Sequence, residues 1–145
     1  MIVICRYNTG ICFPDDFLPL GGWDSKTEFS GLTVDSLYIV YGTTVIKGYE
    51  CFLICKDGYH YENYPTFLPC QLFETVNNIP SKYWVEREAT DEYTGKKMIE
   101  RGFQPLLDEE YFFWNLLEDC EREKKLFSEY KRRVDKEIIE FLRKK

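Results

Sequence analysis

The stretch "LTVDSLYIVYGTTVIKGYECFLICKDG", residues 32–58, decides the fold class of this chain. It is rich in β-branched and aromatic residues, which favour strands. Lys47-Gly48 divides it at a position that suits a tight turn, and Asp57-Gly58 is the best short hairpin signal in the chain. We therefore expect two antiparallel strands, "SLYIVYGTTVI" and "YECFLIC", and a third segment that folds back after the Asp-Gly pair.

The strand-like pattern continues to residue 86. Pro65 and Pro69 confine the first half of "YHYENYPTFLPCQLFETV" to an edge strand or a loop, because proline cannot donate to a sheet ladder. The segments "QLFETV" and "KYWVERE" are predicted as the last two strands. The polar stretch "NNIPS" between them is predicted as a turn.

The chain before this stretch begins with "IVICR", residues 2–6, which is predicted as a short strand. The next segment, residues 8–31, is rich in Gly, Pro and Asp and is predicted as a long loop, with an edge strand around residues 11–13. We expect this loop to pack on the core through its large apolar residues, Phe13, Phe17, Leu18 and Trp23.

The C-terminal third of the chain has a helical pattern. Residues 87–107 are polar and contain two glycines and a proline, so we expect a connection there, with Asp108 as the N-cap of the helix that follows. One unbroken helix to the end would be about 50 Å long at 1.5 Å per residue, so we expect a break within residues 118–123. Apolar residues recur at spacings of three and four throughout: Phe113, Leu116, Leu117, Cys120, Phe127, Tyr130, Val134, Ile138 and Phe141.

These elements predict an α+β protein. Its β part is a small, strongly bent antiparallel sheet or a small barrel, and its C-terminal part is one bent helix or two helices. We divide the chain into a β region with a long N-terminal loop (1–86), a connecting segment (87–107) and helices packed on the β region (108–145). With 145 residues, a single compact domain can bury a core without disulfides or metal.

The sequence favours a cytoplasmic protein. No apolar run approaches the roughly 20 residues that span a bilayer, and the N-terminus lacks the basic and apolar regions of a signal peptide, so we expect no membrane contact. In a reducing compartment, the six cysteines are best interpreted as small buried hydrophobic residues rather than disulfides.

Charge is unevenly distributed. Residues 1–120 carry nine basic and nineteen acidic residues, a net charge of −10, whereas residues 121–145 carry ten basic and six acidic residues, a net charge of +4. The acidic body favours basic partners. In the tail, the basic residues Lys131, Arg132, Arg133 and Lys136 are interleaved with the acidic residues Glu129, Asp135, Glu137 and Glu140. Because interleaving blunts the potential, we interpret the tail as a solvated helix face and expect no nucleic-acid partner.

Motifs for catalysis or metal binding are weak. Zinc would have to use Cys51, Cys55, His60 and Cys70, but two cysteines four positions apart on a strand lie about 13 Å apart, too far for one ion. His60, the only histidine, follows a turn in a polar run and is interpreted as an exposed loop residue. No nucleotide-binding or nucleophile-elbow motif is present. We therefore predict no catalytic residue, no metal and no cofactor.

Part of the chain matches a known pattern, close to L-T-V-G-x-x-Y-x-V followed by a D/N-G turn and a Y-P segment that ends near F-E. The matching residues are Leu32, Thr33, Val34, Tyr38, Val40, Asp57-Gly58, Tyr64-Pro65 and Phe73-Glu74, with Asp35 where the pattern has Gly. On these residues, the segment 32–86 resembles small bacterial and phage proteins with an SH3-like barrel. The resemblance implies the fold but not the binding of proline-rich ligands, since the signature of that activity is missing.

By type, the chain also resembles immunity proteins of bacterial toxin-delivery systems, including contact-dependent growth inhibition. The shared features are small size, an acidic body and a sheet with a helical tail. The resemblance implies a non-enzymatic inhibitor that neutralises a basic toxin domain, for example a nuclease.

Two runs of residues are the candidates for partner binding. The first is Tyr59, His60, Tyr61, Glu62 and Tyr64, and the second is Asp108, Glu109 and Glu110. Tyrosine is enriched at protein interfaces because it buries a large area and keeps a polar tip. We expect a protein-binding protein with an acidic, tyrosine-rich surface, most consistent with an immunity protein. One alternative is a phage or mobile-element adaptor, and another is a small hydrolase that uses His60 or a pair of carboxylates.

Overall fold

The computed structural model describes residues 1–17, 22–58 and 64–144. Within them, the strands are β1 (Ile2–Cys5), β2 (Leu37–Ile39), β3 (Thr43–Ile46), β4 (Tyr49–Ile54), β5 (Thr66–Pro69), β6 (Phe73–Asn77), β7 (Val85–Thr90) and β8 (Lys97–Gly102). The α-helices are α1 (Gln104–Asp108), α2 (Phe112–Leu117) and α3 (Glu121–Arg143). Short 3-10 helices cover Gly10–Cys12 and Cys70–Leu72.

The strands form two antiparallel sheets. The first sheet has the order β2-β1-β6, and the second has the order β5-β4-β3-β8-β7. The fold is therefore α+β with a helical C-terminal part, as predicted. Across the described residues, neither sheet closes on itself, so the barrel is not confirmed.

The segment "SLYIVYGTTVI", predicted as one strand, changes sheets in its middle. β2 pairs with β1, whereas β3 pairs with β4 and β8. Between them, Val40 is buried in one hydrophobic cluster and Tyr41 in another, which is why the apolar pattern is continuous across the break. The nitrogen of Tyr41 donates to the carbonyl oxygen of Leu53, and the nitrogen of Leu53 donates to that of Gly42, each over 2.9 Å.

The turn predicted at Lys47-Gly48 is confirmed. It joins β3 to β4 directly, with Ile46 opposite Tyr49. Both turn residues have positive φ, 51° and 86°. This is the backbone form that two-residue hairpins prefer, because its twist matches that of the strands.

Asp57-Gly58 does not form a two-residue hairpin turn. β4 and β5 are antiparallel neighbours, as a hairpin requires, but Ile54 pairs with Thr66, so eleven residues separate the paired positions. Asp57 instead fastens this connection to the first sheet. Its Oδ2 accepts hydrogen bonds of 2.7 Å from the hydroxyl groups of Thr33 and Tyr38. Burial and the bond to Asp57 raise the pKa of Tyr38 to about 12.

The segment 87–107, predicted as a connection, contains regular structure. β7 and β8 form a hairpin over its length, and α1 follows. The turn is organised by Asp91, whose carboxylate accepts hydrogen bonds from the Tyr93 nitrogen and the Thr94 hydroxyl. Burial alone would raise the pKa of Asp91, but these bonds and one from the Gly48 nitrogen outweigh it, and the pKa is lowered.

Three helices follow β8. Asp108 ends α1 instead of capping a helix. Helix α1 already begins at Gln104, and the Glu109 nitrogen donates a hydrogen bond to the carbonyl oxygen of Pro105. The break predicted within residues 118–123 is confirmed. Asp119 has a φ of 69°, which ends α2, and α3 then begins at Glu121.

The N-terminal loop packs as predicted in its described part, where Phe13 is buried and Phe17 and Trp23 pack against the core. Residues 10–12 form a 3-10 helix and not the expected edge strand. Leu18 lies outside the described residues. The loop is thus held by aromatic contacts, among them a stacked pair of Phe13 and Phe17 with ring centroids 4.1 Å apart.

The core has two clusters of buried side chains. One joins the first sheet to the N-terminal loop, and the other lies between the second sheet and the helices, where Tyr41, Phe103, Phe127 and Tyr130 stack or meet edge to face. Trp84, just before β7, packs against both clusters.

All six cysteines are free thiols. Cys5 and Cys51 are buried, and Cys12, Cys55 and Cys70 are half-buried. Cys120, predicted as a core residue, is exposed, because it lies in the break before α3. Among the described helices, none has the length and apolar character needed to cross a membrane.

Candidate protein-binding surface

Helix α2 presents aromatic side chains to solvent. Phe112 and Leu116 lie four positions apart and are fully buried, and they hold one side of the helix on the core. The opposite side carries Tyr111 and Trp114, which are 63% and 62% exposed. Leu117, predicted as part of the buried stripe, is 41% exposed on this side as well.

Carboxylates surround these exposed rings. Asp108 and Glu110 lie before α2, Glu118 lies at its end, and all three are exposed. None of the three makes an ion pair with another described residue. We call the six residues Asp108, Glu110, Tyr111, Trp114, Leu117 and Glu118 the α2 surface.

Glu109 has a different position from its two acidic neighbours. Its two carboxylate oxygens accept hydrogen bonds from the Arg122 guanidinium over 2.7 and 3.0 Å. These bonds lower the pKa of Glu109. Glu109 therefore fastens the link between α1 and α2 to helix α3, and its charge is already neutralised within the chain.

Tyr64, predicted as a partner-binding residue, lies at the end of α2. Its hydroxyl group donates a hydrogen bond to Asp119 Oδ1, and the Lys124 ammonium lies 2.9 Å from the same oxygen. Nearby, the rings of Phe67 on β5 and Phe113 on α2 are 5.1 Å apart. The structure thus brings Tyr64 and the start of β5 to α2 and to the corner that follows it. Tyr59, His60, Tyr61 and Glu62 lie outside the described residues.

A cleft of about 360 Å³ lies beside the α2 surface, between helices α1 and α2 and strands β3 and β8. Asp108, Glu109 and Glu110 all line it. The Arg87 guanidinium in the cleft already has partners within the chain. It lies 2.6 Å from Glu100 and also donates to the carbonyl oxygen of Leu107. Negative charge without a partner therefore remains on the helical side.

The α2 surface has the composition of a protein interface. Trp and Tyr supply large rigid contact areas, and carboxylates around them favour basic partners over acidic ones. The described residues contain no group of three or more His, Cys, Asp or Glu side chains that could hold a metal ion. The side chains on this surface can contribute aromatic contact, charge and cation–π attraction to a partner.

Sequence reasoning named Asp108 and Glu110 of this surface as partner-binding residues, but not Tyr111, Trp114 or Glu118. Tyr111, Trp114 and Glu118 recur at spacings of three and four, the helical pattern of one face, and this signal was present in the sequence. Searches against protein-family models, curated proteins and solved structures gave no match to the chain.

Proposed function

We propose that the protein is a non-enzymatic, cytoplasmic binding protein that neutralises a basic toxin domain, as immunity proteins do, through the α2 surface. One observation supports this proposal most directly. Two exposed rings, Tyr111 and Trp114, lie beside three carboxylates that have no ion-pair partner in the described chain. A nuclease fits this role, since domains that bind phosphate backbones are basic.

The two exposed rings provide the contact area for a partner. Tyr and Trp side chains are the residues that most often dominate interface affinity when a partner excludes water from them. The α2 backbone that carries them is anchored in the core, because Phe112 and Leu116 on the other side of the helix are fully buried. An anchored backbone has less conformational entropy to lose on binding, and aromatic contacts then slow dissociation.

The charges act on association. Asp108, Glu110 and Glu118 are part of the negative charge of the first 120 residues, whose net charge is −10. Such a potential steers a basic partner toward the surface and raises the association rate at low salt. Rapid capture and slow release are the properties that an inhibitor of a toxin needs.

As part of this proposal, we assign the β region to the SH3-like folds. The support is that the matched residues act together, since Thr33 and Tyr38 both donate to Asp57. These contacts give Thr33, Tyr38 and Asp57 of the matched pattern a shared structural role. They concern the fold, and the binding role rests on the α2 surface alone.

The test uses the full chain and the C-terminal domain of a toxin encoded next to its gene. Binding kinetics and toxin activity are measured for wild type, for Y111A/W114A and for Y93A. Tyr93 is the matched control, because it is 58% exposed and lies in the β7–β8 turn. We expect Y111A/W114A to speed dissociation by about 30-fold or more and Y93A to leave it unchanged.

A second pair of variants separates steering from packing. D108N/E110Q/E118Q should slow association by about 10-fold at low salt, whereas D15N/E28Q/E92Q, which makes the same change of net charge at other exposed positions, should have a much smaller effect. Binding without inhibition would instead indicate an adaptor. Absence of binding to the neighbouring toxin, or equal losses in all variants, would refute the proposal.

A further inference from the structure

Helix α3 carries a line of cations along its outward side. Its buried residues include Phe127, Tyr130 and Val134. On the opposite side lie four exposed cations, Lys125, Arg132, Lys136 and Arg143. At 3.6 residues per turn, these four fall within about 40° of one another around the axis and extend over about 27 Å along it. We call these four residues the α3 stripe.

Two of the four acidic residues interleaved with them in the sequence point elsewhere. Asp135 accepts hydrogen bonds from the Tyr41 hydroxyl and from Lys131. Glu137 accepts from the Ser81 hydroxyl over 2.6 Å and from the Lys82 nitrogen over 2.9 Å. Both carboxylates are therefore used to dock the helix, and they do not neutralise the α3 stripe.

The stripe itself has no ion-pair partners among the described residues. Glu129 and Glu140 border it on one flank, and Arg133 and Lys144, which are also exposed and unpaired, lie beyond them. The outward side of α3 thus keeps a net positive charge, although the rest of the chain is acidic. The spacing of the four cations is visible in the sequence, but the docking of Asp135 and Glu137 away from them is shown only by the structure.

We propose that the α3 stripe binds the phosphate backbone of nucleic acid without reading its sequence. A rigid row of cations matches a polymer with regularly spaced negative charges. Arginine guanidinium groups bind phosphate oxygens in bidentate fashion, and lysine contributes as a point charge.

A lipid surface matches the helix less well. Amphipathic helices bind membranes by burying an apolar face among the acyl chains. The apolar face of α3 is already occupied, since Phe127 and Val134 are fully buried in the protein core. Of its large apolar residues, Ile139 and Leu142 stay exposed, which leaves a membrane little to bury beside the electrostatic attraction to anionic headgroups. We therefore assign the stripe to nucleic acid and include vesicles as a competing outcome.

The experiment measures fluorescence anisotropy of labelled 20-nucleotide DNA and RNA, single- and double-stranded, across a salt titration. The full chain is compared with R132Q/K136Q and with K26Q/K96Q, a control that makes the same change of net charge at two other exposed lysines. Anionic phosphatidylserine vesicles are tested in parallel. None of these substitutions touches the α2 surface, so the result is independent of toxin binding.

We expect wild type to bind duplex DNA with a slope of log K against log salt of about −3.6, the value for four phosphate contacts. R132Q/K136Q should lower the magnitude of the slope by about 1.8 and weaken binding at least 10-fold at low salt, and K26Q/K96Q should leave both unchanged. K125Q/R143Q should reproduce the loss, which guards against a local folding defect in the first variant.

Three results would overturn the proposal. The first is that no oligonucleotide binds at low salt. The second is that R132Q/K136Q and K26Q/K96Q lose the same affinity. The third is that the protein binds vesicles but not nucleic acid. Circular dichroism of each variant confirms that α3 is intact, since glutamine is a good helix former at these exposed positions.

Discussion

The hydroxyl group of Tyr130 on α3 donates a hydrogen bond of 2.5 Å to the main-chain carbonyl oxygen of Tyr41. Tyr41 lies where the chain passes from the first sheet to the second, and its own hydroxyl donates to Asp135 on the same helix. Burial raises the pKa of both tyrosines, which keeps them as donors. The long helix is therefore fastened at the point where the two sheets meet.

Replacing Tyr130 by Phe should lower the free energy of unfolding by about 1–2 kcal/mol. The substitution keeps the ring contacts with Phe103 but leaves the buried carbonyl group of Tyr41 without its donor. Urea denaturation followed by circular dichroism measures the change. Y111F, at an exposed tyrosine, is the control and should differ from wild type by less than about 0.5 kcal/mol. Equal stability of Y130F and wild type would contradict the assignment.

Glu137 should contribute to the docking of α3 on the segment before β7. E137A removes the acceptor for Ser81, which is buried, and for the Lys82 nitrogen. We expect a loss of about 1–3 kcal/mol in the free energy of unfolding, because hydrogen bonds to a charged acceptor are strong. E140A makes the same substitution three residues later at an exposed site and should have little effect. If both variants lose the same stability, the docking contact is not responsible for the loss.

The corner between α2 and α3 should show a defined pH dependence. Hydrogen bonds from Tyr64 and then Lys124 lower the pKa of Asp119 in the folded state. The corner is therefore fully stabilised above the ordinary aspartate pKa, and this stabilisation is lost as the pH falls through the lowered value. Carboxyl-carbon NMR titration should give a lower midpoint for Asp119 in wild type than in Y64F. Y111F is the control, and identical midpoints in wild type and Y64F would show that the contact does not form in solution.

Stability should depend on the positive φ at both positions of the Lys47-Gly48 turn. Lys47→Asn should be more stable than Lys47→Ala by about 0.5–1 kcal/mol, because asparagine tolerates the positive φ better. Gly48→Ala should destabilise by about 1–2 kcal/mol, since φ is 86° and the new methyl group would lie 3.1 Å from Thr94 Cγ2. Thermal melts of the three variants measure both effects. A stable Gly48→Ala protein would mean that the turn adopts another form.

The central strands and the helical break could be predicted from the sequence because each has a local cause. β-branched residues favour β4, the Lys-Gly pair suits a hairpin turn, and the length of the helical pattern required an interruption. Strand β7 was predicted in part, as "KYWVERE", but its partner β8 was missed for a physical reason. The β8 sequence, "KMIERG", lacks the alternation of apolar and polar residues that marks a half-buried strand.

The candidate site was predictable only in part. Its acidic and aromatic composition is visible in the sequence, but the outward members depend on where α1 ends and α2 begins. One continuous helix from Asp108 would have turned Leu117 inward, whereas the separate start of α2 at Phe112 turns it toward solvent. Such a shift of helix phase is decided by tertiary packing, which local patterns do not contain.

Trp84 packs against both hydrophobic clusters, and its indole nitrogen is buried. It is therefore a natural optical probe of the junction between the two layers. Trp23 lies against the first cluster only, and Trp114 is exposed to solvent. In a chain that keeps Trp84 alone, with the other two replaced by Phe, a red shift of emission would report the separation of the two clusters, so the opening of this junction can be timed from a single native side chain.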